Sequence, residues 1–228
     1  MSDRRLGRAA RRLATALVGL AAVAASSASS LAAAAPQETI RNFYSVLLGA
    51  MKNGPTIGVR GRYDQIAPAI EQNFDLSYMT EKTVGSAWRT LSDEQKKQVW
   101  VAFTHYLTAT YAVRFHSYSG EKFEVTGQQN TPYGTIVESR IVKSNGEPVT
   151  INYLMRQNSG EWQVGDIYLT GAISQLATLR SQFMSVVERE GVPGLITLLN
   201  NKTQAMMASP ASLVGRPGRP PAHASPTF

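Results

Sequence analysis

The sequence contains no cysteine among its 228 residues. Disulfide bridges, thiol catalysis and cysteine-ligated metals are therefore excluded, and an oxidising compartment is permitted without being required. The sequence also lacks a Gly-x-Ser-x-Gly nucleophile motif and a glycine-rich phosphate loop. Neither His105 nor His116 has a carboxylate four residues away, which favours ordinary surface or helix-end histidines over metal ligands. We therefore expect neither a metal nor another cofactor.

The middle of the chain also has little net charge. The whole sequence carries 23 basic and 16 acidic residues. Seven of the arginines lie near the two ends, at Arg4, Arg5, Arg8, Arg11, Arg12, Arg216 and Arg219. Without these arginines and Asp3, residues 36–208 hold 16 basic and 15 acidic residues. Because a nucleic-acid surface needs clustered cations in excess, we exclude nucleic acid as a partner.

Residues 1–34 have the organisation of an export signal. Arginines come first, an apolar run over residues 13–25 follows, and small residues end in Ala32-Ala33-Ala34. The apolar run is shorter than the roughly 20 residues that span a bilayer. We predict a signal peptide over residues 1–34 that is cleaved before Ala35, the alternative being a retained N-terminal anchor.

The other end, residues 209–228, contains five of the eleven prolines and almost no large apolar residue before Phe228. Such a segment cannot bury enough surface to offset the entropy of ordering it. We predict a disordered, proline-rich tail, which leaves residues 35–208 as the folded domain.

The first part of that domain is predicted to be helical. Apolar residues recur at helical spacing in four stretches ahead of any strand, at residues 38–53, 63–74, 75–89 (interrupted near Gly85) and 92–111. We expect the first helix to end at Asn53-Gly54-Pro55. Ser92 and Gln95 form a capping box that opens the fourth helix, on which three large apolar residues share a face: Phe103, Leu107 and Tyr111.

From Lys122 the apolar period changes to two, which predicts four strands. Short turns at Asn145-Gly146 and at residues 158–160 join antiparallel neighbours, so the sheet is a meander. The alternating apolar residues are expected to face the helices: Val137, Ile141, Val149, Ile151, Tyr153, Met155, Trp162 and Val164.

After Gly171 the helical period returns, with one stripe that comprises Ile173, Leu176, Phe183, Met184 and Val187. Gly191 should end this helix, and Pro193 suits the first turn of the next. The order predicts an α+β domain of N-terminal helices, a four-stranded antiparallel meander and C-terminal helices, with an apolar cavity between helices and sheet.

Two readings of the inward apolar residues remain open at this point, because composition and periodicity do not separate ordinary core from a ligand-lined wall. One acidic residue in the fourth strand, Asp166, allows a third reading, a general base in a cone-shaped isomerase or hydratase. A hydrogen-bonded structural acid is favoured for Asp166, because no partner acid is visible.

The order of several short motifs resembles the MlaC-type periplasmic lipid-carrier family, also called the toluene-tolerance family of auxiliary transport proteins. The resemblance runs from about Ile40 to Lys202. It is carried by Phe74-Asp75, Met79, Gly85, Trp88, Phe103, Tyr106-Leu107, Tyr111, Val149, Tyr153, Trp162–Ile167, Gly171, Ser174, Arg180–Phe183, Gly191 and Leu195-Ile196. Residues 171–177 resemble the branch associated with hopanoid gene clusters, so phospholipid and hopanoid both remain candidate ligands.

The resemblance implies a monomeric periplasmic shuttle, not an enzyme, that carries lipid between an inner-membrane ABC-type complex and an outer-membrane complex. Its tail pocket would be lined by the inward strand residues named above, together with Phe103, Leu107, Tyr111 and Phe183 of the helices. The methionines Met155 and Met184 would suit varied acyl chains. A fully packed structural protein of the envelope is the remaining alternative.

Deletion of residues 209–228 is predicted to leave folding and lipid carriage nearly unchanged, because the tail lacks apolar residues with which to dock. Thermal unfolding of the full-length and truncated proteins measures this. A midpoint lowered by more than about 5 °C, roughly 1–2 kcal/mol for a domain of this size, would show instead that the tail packs on the domain.

Overall fold

The computed structural model describes residues 35–208, and the predicted leader (1–34) and tail (209–228) lie outside the described residues. The elements are α1 (Pro36–Asn73), α2 (Leu76–Val84), a 3-10 segment (Gly85–Thr90), α3 (Asp93–Arg114), β1 (Lys122–Thr131), β2 (Gly134–Val142), β3 (Pro148–Asn158), β4 (Glu161–Leu169), β5 (Ile173–Ser174) and α4 (Gln175–Ala208). None of the helices in this range is both long and apolar enough to cross a bilayer.

The strands form one antiparallel sheet in the order β1-β2-β3-β4-β5, which confirms the predicted α+β meander. The register places Tyr153 between Val137 and Ile167, and all three are buried on the side that the helices cover. The opposite side carries polar pairs such as Arg140 with Glu124, whose side chains are 2.7 Å apart. The sheet therefore buries mainly one face, as an antiparallel meander commonly does, although Leu154 and Asp166 on the other face are also buried.

The fifth strand corrects one prediction. Ile173 was expected in the buried stripe of a helix, but it pairs with Leu169 in β5 and is 54% exposed. Thr170 and Gly171 both have positive φ angles, 48° and 83°, so the chain reverses here before a helix can start. Helix α4 begins only at Gln175.

The predicted end of the first helix at Asn53-Gly54-Pro55 is also wrong, because α1 continues past these residues and breaks at Gly58. A proline removes one hydrogen bond from a helix, and Pro55 lies within the last turn before the break. Gly54 has a different role. A Cβ atom at this position would lie 2.2 Å from the carbonyl oxygen of His116, so the chain that follows α3 crosses α1 directly at Gly54.

The breaks in α1 and α4 are built alike. Gly58 has φ 64° and ψ −173°, and Gly191 has φ 69° and ψ −176°, a backbone conformation that favours glycine. The prediction that Gly191 ends a helix and that Pro193 lies in the first turn of the next is confirmed. Each break divides one long helix into two pieces joined at a kink.

Aromatic side chains join the helices above the sheet. Phe43 of α1 contacts Phe74 and Tyr111 edge to face, with ring centroids 5.0 and 5.4 Å apart. Tyr111 also contacts Phe74 at 5.8 Å and stacks on Phe115 at 5.6 Å. Such pairs add to the stability that their buried area provides. The capping box predicted at Ser92 and Gln95 is present and fixes the start of α3.

Arg62, in the second piece of α1, connects the C-terminal end of α3 with the C-terminal end of the first piece of α1. Its Nε donates to the carbonyl oxygen of Ala112 at 2.7 Å, and one Nη donates to that of Gly54 at 3.1 Å. Ala112 lies in the last turn of α3, and Gly54 lies in the last turn before the break in α1. Because Arg62 is only 8% exposed, removal of its side chain would leave both carbonyl oxygens buried and without this hydrogen-bond donor.

Arg62→Met is therefore expected to lower the free energy of unfolding by about 2–4 kcal/mol, because two buried carbonyl groups lose a charged donor. Urea unfolding followed by circular dichroism measures the change. The matched control is Arg60→Met, whose side chain is 78% exposed and paired with Asp64; it should cost at most about 0.5 kcal/mol. Equal effects of the two substitutions would contradict the assigned role of Arg62.

Candidate functional site

An apolar cavity of about 60 Å³ lies where α2, α3, β4 and the start of α4 meet. Five of its lining residues share one face of α3: Tyr106, Leu107, Thr110, Tyr111 and Arg114. The other elements contribute Met79, Ile167, Gln175, Leu176 and Leu179. The predicted cavity between helices and sheet is thus present, at the β4 side of the helical layer.

The lining changes character with depth. Met79, Leu107, Ile167 and Leu176 are each at most 6% exposed and form an apolar floor. Of the polar lining residues, Tyr106, Thr110, Arg114 and Gln175 are half-buried and so lie closer to solvent, whereas Tyr111 is 4% exposed. A polar rim above an apolar floor matches the chemistry of an amphiphilic ligand.

The guanidinium of Arg114 is partly desolvated at this rim. Burial lowers the pKa of Arg114, while the nearby hydroxyls of Tyr106 and Tyr111 act in the opposite direction. An arginine remains charged under all ordinary conditions. The rim therefore presents a fixed positive charge whose hydration is incomplete, which strengthens its interaction with an anion.

The structure brings only two of the twelve predicted lipid-contacting residues to this cavity, Leu107 and Tyr111. Seven of the others are at most 2% exposed and lie in the packed core: Phe103, Val137, Ile151, Tyr153, Met155, Val164 and Phe183. The remaining three, Ile141, Val149 and Trp162, are half-buried and pack against that core. Contact of these ten residues with a lipid stays a prediction.

Sequence reasoning did not select the polar rim. The residues that it missed at the rim follow from one helical stripe, in which Thr110 and Arg114 stand four residues apart and Tyr106 four residues earlier. This stripe is present in the sequence, but it was not selected because the predicted lining was chosen for apolar side chains and these three side chains carry polar groups. Gln175 carries no comparable signal, because its place depends on where α4 begins.

Polar groups also explain why the central part of the sheet is packed. Tyr153 donates a hydrogen bond to Tyr44, and the hydroxyls of Tyr44 and Ser139 are 2.6 Å apart. Ser139 in turn donates to the carbonyl oxygen of Ile151. Burial raises the pKa of Tyr44 to about 12 and also raises those of Tyr111 and Tyr153. This network of buried hydroxyl groups ties α1 to β2 and β3.

Asp166 has a structural environment. One carboxylate oxygen accepts from the backbone N–H groups of Ile167 and Leu176, at 2.7 and 3.1 Å. The other accepts from the hydroxyl of Ser174 at 2.6 Å. Asp166 thus fixes the start of α4, and it does not belong to the cavity lining. These contacts favour a structural acid over a general base.

A second depression, between the start of α3 and the second half of α4, is larger at about 280 Å³ but open to solvent. Charged or amide side chains make up four of its seven lining residues: Glu94, Lys97, Gln98 and Asn200. Because this depression is open to solvent, an acyl chain that lay in it would stay partly exposed to water, and we assign no lipid site there.

Comparison with known proteins gives a consistent result. The family model described as "MlaC protein" matches residues 42–201. A curated relative, the intermembrane phospholipid transport system binding protein MlaC of Haemophilus influenzae, is 26% identical over 128 residues. The match covers 54% of this chain and 59% of that protein, so the chain spans less than two thirds of the relative's length.

A solved structure shows the same fold. It is a phospholipid-binding protein from Ralstonia solanacearum in complex with a phospholipid, with a TM-score of 0.65 and 24% sequence identity. The similarity covers 76% of this chain and 99% of that one. At this identity the likeness establishes the architecture, one layer of helices over an antiparallel sheet.

The fold and the site define a class of α+β protein in which broken helices cover one face of a meander and enclose a small apolar cavity with a charged rim. The family match covers more than half of the chain, from the first helix to the second half of α4. The chain belongs to the MlaC protein family.

The buried tyrosines predict a loss of stability in alkali. Their pKa values are raised in the folded protein, so between pH 9 and 11 the unfolded chain releases protons that the folded chain keeps. Stability is fully present below about pH 10 and should then fall, by about 1.4 kcal/mol for each buried tyrosine by pH 11. Urea unfolding at pH 9 and pH 11 measures the fall.

The substitution Tyr44→Phe should reduce this pH-dependent loss by about 1.4 kcal/mol, since one titrating group is removed. Tyr133→Phe is the control, because Tyr133 is 82% exposed and ionises alike in both states. An unchanged pH dependence in Tyr44→Phe would show that this tyrosine ionises in the folded protein.

Proposed function

We propose that this protein is a periplasmic phospholipid carrier and that the cavity beside α3 receives the lipid's acyl chains. The observation that carries the proposal is the combination of an apolar floor with a polar, positively charged rim. Two relatives add support. One is named as the binding protein of an intermembrane phospholipid transport system, and the other was solved with a phospholipid bound.

Transfer of a free lipid through water is opposed by the hydrophobic effect. Exposure of an acyl chain costs about 0.8 kcal/mol per methylene, or roughly 13 kcal/mol for a sixteen-carbon tail. A protein that encloses the tail removes most of this cost without forming or breaking a bond. The contacts of Asp166 agree with such a role and support it over the isomerase or hydratase alternative.

The cavity must widen to hold a tail, because ligand pockets usually measure about 300–1,000 Å³ and this one measures about 60 Å³. The first half of α4, residues 175–190, supplies Leu176 and Leu179 to one wall. It lies between the turn at Gly171 and the break at Gly191, both with positive φ. We propose that this piece swings outward about its start, which Asp166 holds to β4, when lipid enters, and that the neighbouring core residues then become part of the pocket.

The remaining elements of the proposal come from the family. The carrier would take or deliver lipid at an inner-membrane ABC-type complex and an outer-membrane complex, as a monomer. The leader over residues 1–34 would direct export and be removed, and the tail over residues 209–228 would take no part in carriage. A purely structural envelope protein is the alternative, and it predicts no bound lipid at all.

A variant that fills the rim tests the cavity. Thr110→Trp places an indole at the mouth, where the side chain is half-buried. We expect the purified variant to retain its helical circular dichroism and to lose bound phospholipid by about tenfold or more, because the tail path is blocked. Mass spectrometry of lipid extracted from the purified protein measures occupancy. Leu179→Trp, from the opposite wall, is a second variant in case the first disturbs α3.

The matched control is Thr203→Trp. Thr203 is also half-buried in a helix and also donates to the carbonyl four residues earlier, at 2.9 Å compared with 2.8 Å for Thr110. It does not line the cavity, so occupancy should stay at the wild-type level. Full occupancy in both cavity variants would rule out this cavity, and a wild-type protein that binds no phospholipid would rule out the function.

A further inference from the structure

Among the ten described residues that line the cavity, Arg114 alone carries a charge. It is the last residue of α3, seven positions after Leu107 on the same helix. At 1.5 Å per residue these two positions are about 10 Å apart along the helix axis. Leu107 is 6% exposed and Arg114 is half-buried, so the charge stands near the opening and an apolar wall extends inward from it.

The geometry of the rim suits an anion that enters with an apolar tail. A guanidinium presents a planar fork of donors that matches phosphate oxygens, and such charge-assisted bonds are stronger than neutral ones. Thr110, four residues earlier on α3, and Gln175 at the start of α4 border the same opening and add neutral hydrogen-bonding groups. No acidic side chain is among the described lining residues of the cavity.

The nearby start of α4 offers no substitute for Arg114. The backbone N–H of Leu176 donates to Asp166, and that of Ala177 donates to the hydroxyl of Ser174. Two of the amide groups that a phosphate would use at this helix end are thus occupied by the protein itself. The guanidinium is the group at this opening that can bind an anion strongly.

We infer that Arg114 contacts the phosphate of the bound lipid and makes the carrier select phosphate-bearing lipids over lipids with an uncharged hydroxyl head. This inference rests on the proposed function and extends it, since the resemblance of the sequence leaves phospholipid and hopanoid open as ligands. The apolar cavity accepts the tail of either class. The charge at the rim distinguishes them, because only the phospholipid brings an anion to it.

The test compares two lipids that share their tails. Delipidated protein is offered dioleoyl phosphatidylglycerol or dioleoylglycerol in the same detergent, and bound lipid is quantified by mass spectrometry over a concentration series. The wild-type protein should bind phosphatidylglycerol at least about tenfold more tightly than dioleoylglycerol, because the phosphate gains a charge-assisted hydrogen bond. Arg114→Met should remove this preference and leave dioleoylglycerol binding within about twofold.

Arg114→Lys keeps the charge but loses the planar fork, so it should retain part of the preference. It also serves as the second variant if Arg114→Met fails to fold. Arg41→Met is the control for loss of a positive charge. Arg41 lies near the N-terminal end of α1, does not line the cavity, is 46% exposed and pairs with Glu38. The preference of this control should equal that of the wild type.

Several results would overturn the inference. If Arg114→Met weakens the binding of both lipids equally, Arg114 only stabilises α3. If the variant keeps the wild-type preference for phosphatidylglycerol, another group recognises the lipid headgroup. Inorganic phosphate that binds lipid-free protein as tightly as phosphatidylglycerol does would indicate a site for a free anion. A wild-type protein that binds both lipids equally contradicts only this inference, whereas one that binds neither contradicts the proposed function itself.

Discussion

Burial of one face of a single antiparallel sheet is the constraint on which the rest of the structure depends. A sheet of this width is twisted, and a straight helix cannot follow its surface over its whole length. Helix α1, which contacts β1, β2 and β4, breaks at Gly58, and α4, which packs mainly on α2 and α3 and meets the sheet at β4 and β5, breaks at Gly191. The first piece of α1 packs closely over β2 and β3, where Tyr44 reaches Ser139 and Tyr153. Above β4, where α2, α3 and α4 converge, they leave a gap.

That gap has the polarity that carriage of an amphiphile requires. The floor is apolar because it belongs to the same layer of buried side chains as the core, and the rim is polar because it is where that layer meets solvent. The proposed carrier thus needs no catalytic group, and binding energy comes from the enclosed tail. Arg114, the charged residue among the described residues of the lining, gives a site of this kind a means to distinguish lipids whose tails are alike.

The secondary structure could be predicted largely from local signals. The meander, the capping box at Ser92 and Gln95 and the helix break at Gly191 all follow from periodicity and short-range chemistry, and all are present. The errors have a common origin in long-range contacts. Gly54 marks a close crossing with His116 and not a helix end, and Ile173 leaves its helix because the Thr170-Gly171 turn pairs it with Leu169.

The sequence by itself determined the fold class, the face of each strand that is buried and the family, because alternation and capping are encoded over a few neighbouring residues. Only the tertiary structure decided which buried residues border empty space. Leu107 and Tyr111 line the cavity while Phe103, on the same helix, is packed. Periodicity reports that a side chain points inward. Whether that side chain contacts protein or a cavity depends on how closely helices from distant parts of the chain approach each other. No local sequence pattern determines the distance between those helices.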